Sequence, residues 1–171
     1  MTYLLDFDRT LFDTDAYKAY LAEQPAYREF LALPELELAA ILDRDAAAGK
    51  LAYAPGELAP FLYPDALAFL NARPDARIVT FGNPHLQRSK VESALHALSL
   101  SEVHYTGDLR KGPYLLANFA SQDGLVLVDD ALAELESVAA SCPAMRAIEM
   151  RRDGGEGDGR WPVVRSLAEL P

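Results

Sequence analysis

Asp6 and Asp8 stand two residues apart in the segment Leu4-Leu5-Asp6-Phe7-Asp8-Arg9-Thr10-Leu11-Phe12, directly after an apolar run. If that run, Thr2 to Phe7, is a strand, its period of two sends both carboxylates to the same side of the chain. Adjacent like charges repel, and their burial is costly unless a cation neutralises them or one takes up a proton. The pair therefore suggests a metal site, an acid/base pair, or both. Other polar groups sit at comparable places. Thr80 ends the apolar stretch Arg77-Ile78-Val79-Thr80-Phe81, just ahead of Gly82-Asn83-Pro84. Asp129 and Asp130 close the run Leu125-Val126-Leu127-Val128, and Lys111 precedes the helix opening at Gly112-Pro113. An oxygen-rich set with few or no imidazoles suits a hard cation, Mg²⁺ first among them.

These residues meet only if the elements that carry them share a sheet edge. From Tyr63 onward the chain alternates helix and strand. Pro64 suits the first turn of a helix running to about Ala72, and Arg77–Phe81 reads as a strand. A helix with Val91, Leu95 and Leu98 inward follows, then a short strand over Glu102–Thr106 and a helix carrying Leu115, Leu116 and Phe119. Leu125–Val128 is the near-continuous apolar run expected of a central parallel strand covered on both faces. A helix with Leu132, Leu135 and Val138 comes next, then a last strand over Arg146–Met150. Arg152–Gly159, rich in glycine and charge, reads as a mobile loop or hairpin, and Ser166–Leu170 as a short helix. The alternation predicts a doubly wound α/β domain with a parallel sheet, whose ligands sit outside the carboxyl ends of the strands. The first, second and fourth strands would bring Asp6, Asp8, Thr80, Asp129 and Asp130 to one edge, with Lys111 close by.

Between the first strand and Tyr63, residues 13–62 read as helical. Tyr17, Tyr20 and Leu21 share one face, Tyr27, Phe30 and Leu31 another, and Leu38, Ile41 and Leu42 a third. Pro25 and Pro34 divide the stretch, and Gly49 with Pro55-Gly56 ends it. The expected organisation is a core of residues 1–12 and 63–171 with a small helical insertion over 13–62.

Composition narrows the function further. The chain has 171 residues, half of them hydrophobic, and a formal net charge of −10 from 16 basic and 26 acidic side chains. No basic stripe appears, which argues against nucleic acid or an anionic membrane as the main partner. A small phosphorylated ligand remains compatible, because one or two local cations overcome a distant field. The one cysteine, Cys142, excludes an internal disulfide, and the chain shows neither a signal-peptide core nor an apolar stretch long enough to span a bilayer. The cytoplasm is the expected location. The sequence does not specify an oligomeric state.

The ordered set carries a resemblance. Asp6-Phe7-Asp8-Arg9-Thr10 matches the DxDxT first motif of the haloacid dehalogenase superfamily, in its phosphatase branch. Ile78-Val79-Thr80 resembles its second motif, Lys111 its third-motif lysine, and Leu125 to Asp130 its fourth motif, an apolar strand ending in two acids. The resemblance spans Thr2 to about Ala139 and implies a Rossmann-like core with a helical cap over 13–62. It implies a Mg²⁺-dependent hydrolase of small phosphate monoesters. Asp6 would be the nucleophile, forming an aspartyl phosphate. Asp8 would be the general acid and then the base, its backbone carbonyl also ligating the metal. Asp129 would be the third protein ligand, and Asp130 would hold a metal-bound water or orient Lys111. Thr80 and Lys111 would bind the phosphoryl oxygens, with backbone N–H groups near Phe81 and Gly82 adding to them, and Lys111 would restrain Asp6. The alternatives are a phosphotransferase or mutase on the same fold, and a catalytically silent binding or regulatory module.

Blander roles are expected elsewhere. Lys90 reads as a solvated helix position. His85 fits a helix start at the surface, and His96 and His104 lack metal-ligand spacing. Asn83 suits capping of the following helix, Arg151-Arg152-Asp153 a solvated strand end, and Tyr17, Tyr20 and Tyr27 the core.

Overall fold

The computed structural model describes residues 1–98 and 102–171. Six parallel strands form one sheet in the order β3-β2-β1-β4-β5-β6. They are β1 (Thr2–Leu5), β2 (Arg77–Thr80), β3 (Val103–Tyr105), β4 (Leu125–Asp129), β5 (Arg146–Met150) and β6 (Val163–Val164). Six α-helices accompany them: α1 (Thr14–Glu23), α2 (Glu35–Ala47), α3 (Pro64–Ala72), α4 (Pro84–Ala94), α5 (Lys111–Phe119) and α6 (Leu132–Ser141).

The apolar runs of β1 and β4 follow from burial on both faces. Tyr3, Leu5, Val126 and Val128 join the cluster on the side of α1–α4. Leu4, Leu125 and Leu127 join the other cluster, with Leu115 and Phe119 of α5 and Leu135 and Val138 of α6. Successive residues thus serve opposite layers, as the pleat requires. Strand order reverses beside β1: the chain builds β2 and β3 on one flank, then crosses to β4 on the other. That reversal opens a crevice at the carboxyl ends of β1 and β4, the usual ligand position in such sheets.

The helical insertion leaves and re-enters the sheet through a paired stem. Phe12 bridges Leu62 in antiparallel fashion, Asp13 N donates to Phe61 O at 2.7 Å, and Tyr63 N donates to Leu11 O at 3.0 Å. Asp13 then caps α1, accepting from Ala16 N at 2.9 Å. Pro34 stands at the N-cap of α2 and Pro64 opens α3, both where a missing N–H costs nothing. Around Pro25 the chain runs through turns into a 3₁₀ segment, Arg28–Ala32, between the two helices. Tyr17, Leu21, Leu38 and Leu42 of the insertion share the cluster that includes Leu5 and Ile78, so its apolar side is continuous with the sheet's.

The structure differs from the expected elements in three places. β1 ends at Leu5, so Asp6 and Asp8 lie in the loop beyond the strand and the period of two does not govern them. Arg9, at φ 54°, turns that loop. The glycine-rich stretch 153–159 does not form a hairpin, and the chain re-enters the sheet as parallel β6, a two-residue strand too short to register as a pattern. Arg152, expected in solvent, is folded inward. It donates to Thr10 O at 2.7 Å and to Asp65 at 2.8 Å, with its guanidinium 4.2 Å from the Tyr63 ring centre. It ties the C-terminal segment to the loop that carries Asp6 and Asp8.

Candidate active site

The β1–β4 register sets Leu5 against Val128, so the next residues, Asp6 and Asp129, emerge side by side. Asp6 N donates to Val128 O at 2.9 Å, which extends the pairing one step. Lys111, the first residue of α5, fills the space between the two carboxylates. Its Nζ hydrogen-bonds Asp6 Oδ1 and lies 2.5 Å from Asp129 Oδ2, and the side chain is only 1 % exposed. Two contacts on α6 fix that helix start. A Cβ at Gly112 would lie 2.0 Å from Ser137 O, so only glycine allows α5 this close to α6. Glu134, buried, accepts from Lys111 N at 2.8 Å and from Arg110 at 2.6 Å, satisfying a donor of the helix N-terminus.

Asp6, Asp129 and Asp130 each offer a carboxylate oxygen within 4.8 Å of the others. With one ammonium among them, negative charge is in excess. Burial pushes the Asp6 carboxyl well above its usual value, with Asp129 and Asp130 adding to the rise against the pull of Lys111. Burial likewise raises Asp129. Asp130 is pushed up to about 6 by burial and then by Asp129. Lys111 moves the other way: burial disfavours its charge, but Asp129 and Asp6 more than compensate and hold it protonated. A buried oxygen cluster short of positive charge fits a hard divalent cation. Asp6, Asp129 and Asp130 are the side chains placed to hold it.

Asp8 does not join that cluster. Its Oδ1 accepts from Lys90 Nζ at 2.5 Å and Thr14 Oγ1 at 2.7 Å. Its Oδ2 accepts from Lys90 Nζ at 2.8 Å and Gln87 Nε2 at 2.7 Å. Burial works to raise its pKa, but Lys90 and these hydrogen bonds win and hold the carboxyl below its usual value. Lys90 is therefore not a solvated helix position. It is 3 % exposed and sits over the rings of Phe7, Phe12 and Tyr17, with centroids 5.4–5.6 Å away. Gln87 and Lys90 lie three apart on one face of α4, a spacing legible in the sequence once a buried acid opposite them is known. Thr14, the first residue of α1, completes the grip.

Thr80 ends β2 at the same edge, buried, and its Oγ1 has no partner among the described residues. An unpaired buried hydroxyl at a strand end is free to serve a ligand. Gly82 turns the chain at φ 118°, which a side chain would strain, and its N–H already donates to Gly107 O at 3.2 Å. His85 is exposed, and Asn83 stands at the N-cap of α4 without a side-chain capping bond. Tyr17 is core, its hydroxyl 2.5 Å from that of Tyr53, and burial raises its pKa.

No family model matches the sequence, and no curated protein matches it either. Solved structures do: 43 chains match. One is the candidate HAD-hydrolase YfnB from Bacillus subtilis, bound to magnesium: TM-score 0.66, 15% identity, 99% of this chain and 96% of that one. Another is a haloacid dehalogenase-like family hydrolase from Xanthomonas campestris: TM-score 0.59, 14% identity, 97% and 90% covered. A third is a candidate β-phosphoglucomutase from Thermotoga maritima: TM-score 0.59, 15% identity, 96% and 94% covered. At these identities the likeness speaks to architecture. Sheet order, the insertion after β1 and these full-length neighbours agree: the chain has the haloacid dehalogenase-like hydrolase fold.

Proposed function

We propose that the protein is a Mg²⁺-dependent phosphatase that hydrolyses a small phosphate monoester through an aspartyl phosphate on Asp6. The observation that carries this reading is the separation of Asp6 from Asp8. Asp6 lies in a buried acidic cluster beside Lys111, while Asp8 is held apart as an ionised carboxylate by Lys90, Gln87 and Thr14.

In the first step an Asp6 carboxylate oxygen attacks phosphorus and the bond to the leaving oxygen breaks. Lys111 orients Asp6, and with Thr80 Oγ1 it is placed to receive phosphoryl oxygens. The chemistry that a bound Mg²⁺ supplies is electrostatic: it offsets the repulsion between the Asp6 carboxylate and the phosphate dianion. Asp8 is ionised and carries no proton of its own, so the proton for the leaving oxygen comes from the Lys90 ammonium, with Asp8 relaying it. In the second step water attacks phosphorus, its proton returns to that pair, and Asp6 is released with inorganic phosphate. The insertion over 13–62 would act as a cap, and its paired stem next to Asp8 suits that role.

Release of phosphate from p-nitrophenyl phosphate tests the reading, with Mg²⁺ and then with excess EDTA. The expected result is Mg²⁺-dependent release that Asp6→Asn abolishes while its melting profile stays cooperative. Metal-independent release, or an unaffected Asp6→Asn, would sink the proposal. Phosphoryl transfer to an added alcohol without net phosphate would replace hydrolysis by phosphotransfer.

A further inference from the structure

The peptide between Thr10 and Leu11 is held at both ends. Its N–H, on Leu11, donates to Phe7 O at 3.0 Å, and Phe12 N donates to the same oxygen at 2.9 Å. Phe7 O belongs to the peptide that joins Phe7 to Asp8, so its position sets how the Asp8 backbone leaves the loop. The other end, Thr10 O, accepts two bonds from one guanidinium: Arg152 Nη2 at 2.7 Å and Nε at 3.1 Å. Hydrogen bonds chained through a peptide polarise one another and stiffen the run. Arg9 stands inside this turn at φ 54°, a conformation that a residue other than glycine keeps only where its surroundings impose it.

Arg152 is itself fixed, with its side chain 10 % exposed. Its Nη1 donates to Asp65 Oδ2 at 2.8 Å, an oxygen that also accepts from Ser166 Oγ at 2.6 Å and Leu167 N at 2.7 Å. Its planar face lies 4.2 Å from the Tyr63 ring centre, and Tyr63 N in turn holds Leu11 O at 3.0 Å. A flat fork reaches Thr10 O and Asp65 together, which the single ammonium of a lysine does not. Asp6 is placed by other means, its N–H on Val128 O and its carboxylate on Lys111. The guanidinium therefore bears on Asp8 and not on the nucleophile.

We propose that Arg152 is a positioning residue for the proton relay: by holding the Thr10–Leu11 peptide it fixes the turn that aims Asp8 at the leaving oxygen. Lys90, Gln87 and Thr14 hold the carboxylate, and Arg152 holds the backbone that carries it. This role rests on the phosphatase reading and on Asp8 relaying the proton. Its loss is felt most where the leaving oxygen needs that proton. Phenolate is a poorer leaving group than p-nitrophenolate, and the two rings are nearly alike in shape. The ratio kcat/KM reports the steps up to departure of the leaving group, so hydrolysis of the aspartyl phosphate does not enter it.

With the full chain and Mg²⁺, Arg152→Met should lower kcat/KM for phenyl phosphate about tenfold more than for p-nitrophenyl phosphate. A smaller folded fraction lowers both alike and leaves their ratio unchanged. Arg152→Lys should move the ratio the same way by less, and it carries the comparison if the methionine variant does not fold. Arg73→Met is the control. Arg73 donates to Pro171 O at 2.6 Å, tying down the same C-terminal segment, and makes no hydrogen bond to the loop, so the ratio should stay as in the wild type. Equal losses on the two esters, or no loss, overturn the proposal, and so does an equal shift in Arg73→Met. In those cases wild-type release from p-nitrophenyl phosphate leaves the phosphatase reading standing. A wild-type protein that cleaves p-nitrophenyl phosphate but not phenyl phosphate also overturns the proposal, because no proton then reaches the leaving oxygen. No release from either ester overturns both.

Discussion

Lys111 and Lys90 are both buried ammonium groups that face aspartates, yet they create opposite electrostatic situations. Lys111 serves Asp6 and Asp129, with Asp130 adjacent, and the carboxyls around it are pushed up. Lys90 serves Asp8 alone, aided by two neutral donors, and that carboxyl is pulled down. The first region is short of positive charge and suited to gain a cation. The second is neutral as it stands and keeps one carboxylate in one orientation. One loop of three residues, Asp6-Phe7-Asp8, thus feeds two environments, because β1 ends before it and Phe7 turns into the core between them.

Removing each lysine in turn tests this contrast. Lys111→Met leaves buried carboxylates with no counter-ion, so urea unfolding in EDTA should show a loss of about 3–5 kcal/mol. Lys90→Met should cost less, about 1–3 kcal/mol, because Gln87 and Thr14 still donate to Asp8. If Lys90→Met is the more damaging of the two, the charge contrast is wrong.

A smaller effect is expected at Asp130. Its folded carboxyl, raised to about 6 from 3.8, holds a proton that the unfolded chain gives up. Between those values the folded state binds more protons, so metal-free stability falls as pH rises through that window. Asp130→Asn removes this term and should stabilise the metal-free protein by about 1–2 kcal/mol at neutral pH. The gain should vanish below the lower value, where both states are protonated. A gain that persists in acid would mean that the charge of Asp130 is not its source.

How far the sequence carried is clearest at these same residues. The parallel sheet was legible because the apolar runs of β1 and β4 sit two layers deep, which leaves a compositional mark. Asp6, Thr80, Lys111 and Asp129 were legible because each adjoins such an element, and strand ends converge in this topology. Lys90 was not, since a lone lysine on an amphipathic helix is solvated unless a distant acid meets it, and nothing near Lys90 announces Asp8. Glu134 and Arg152 were missed for the same reason. Each pairs with a backbone group, Lys111 N or Thr10 O, and with a side chain distant in sequence, Arg110 or Asp65, and neither kind of partner leaves a local signature. β6 escaped because two residues are too few for a period to appear.

The most direct test of the central claim, that Asp6 rather than Asp8 accepts the phosphoryl group, is acid-quench trapping of the enzyme during turnover of ³²P-labelled substrate. A hydroxylamine-sensitive acyl phosphate is expected on the peptide that contains Asp6 and Asp8. The label should persist in Asp8→Asn and disappear in Asp6→Asn. Label that survives Asp6→Asn, or turnover at the wild-type rate with that substitution, would contradict it.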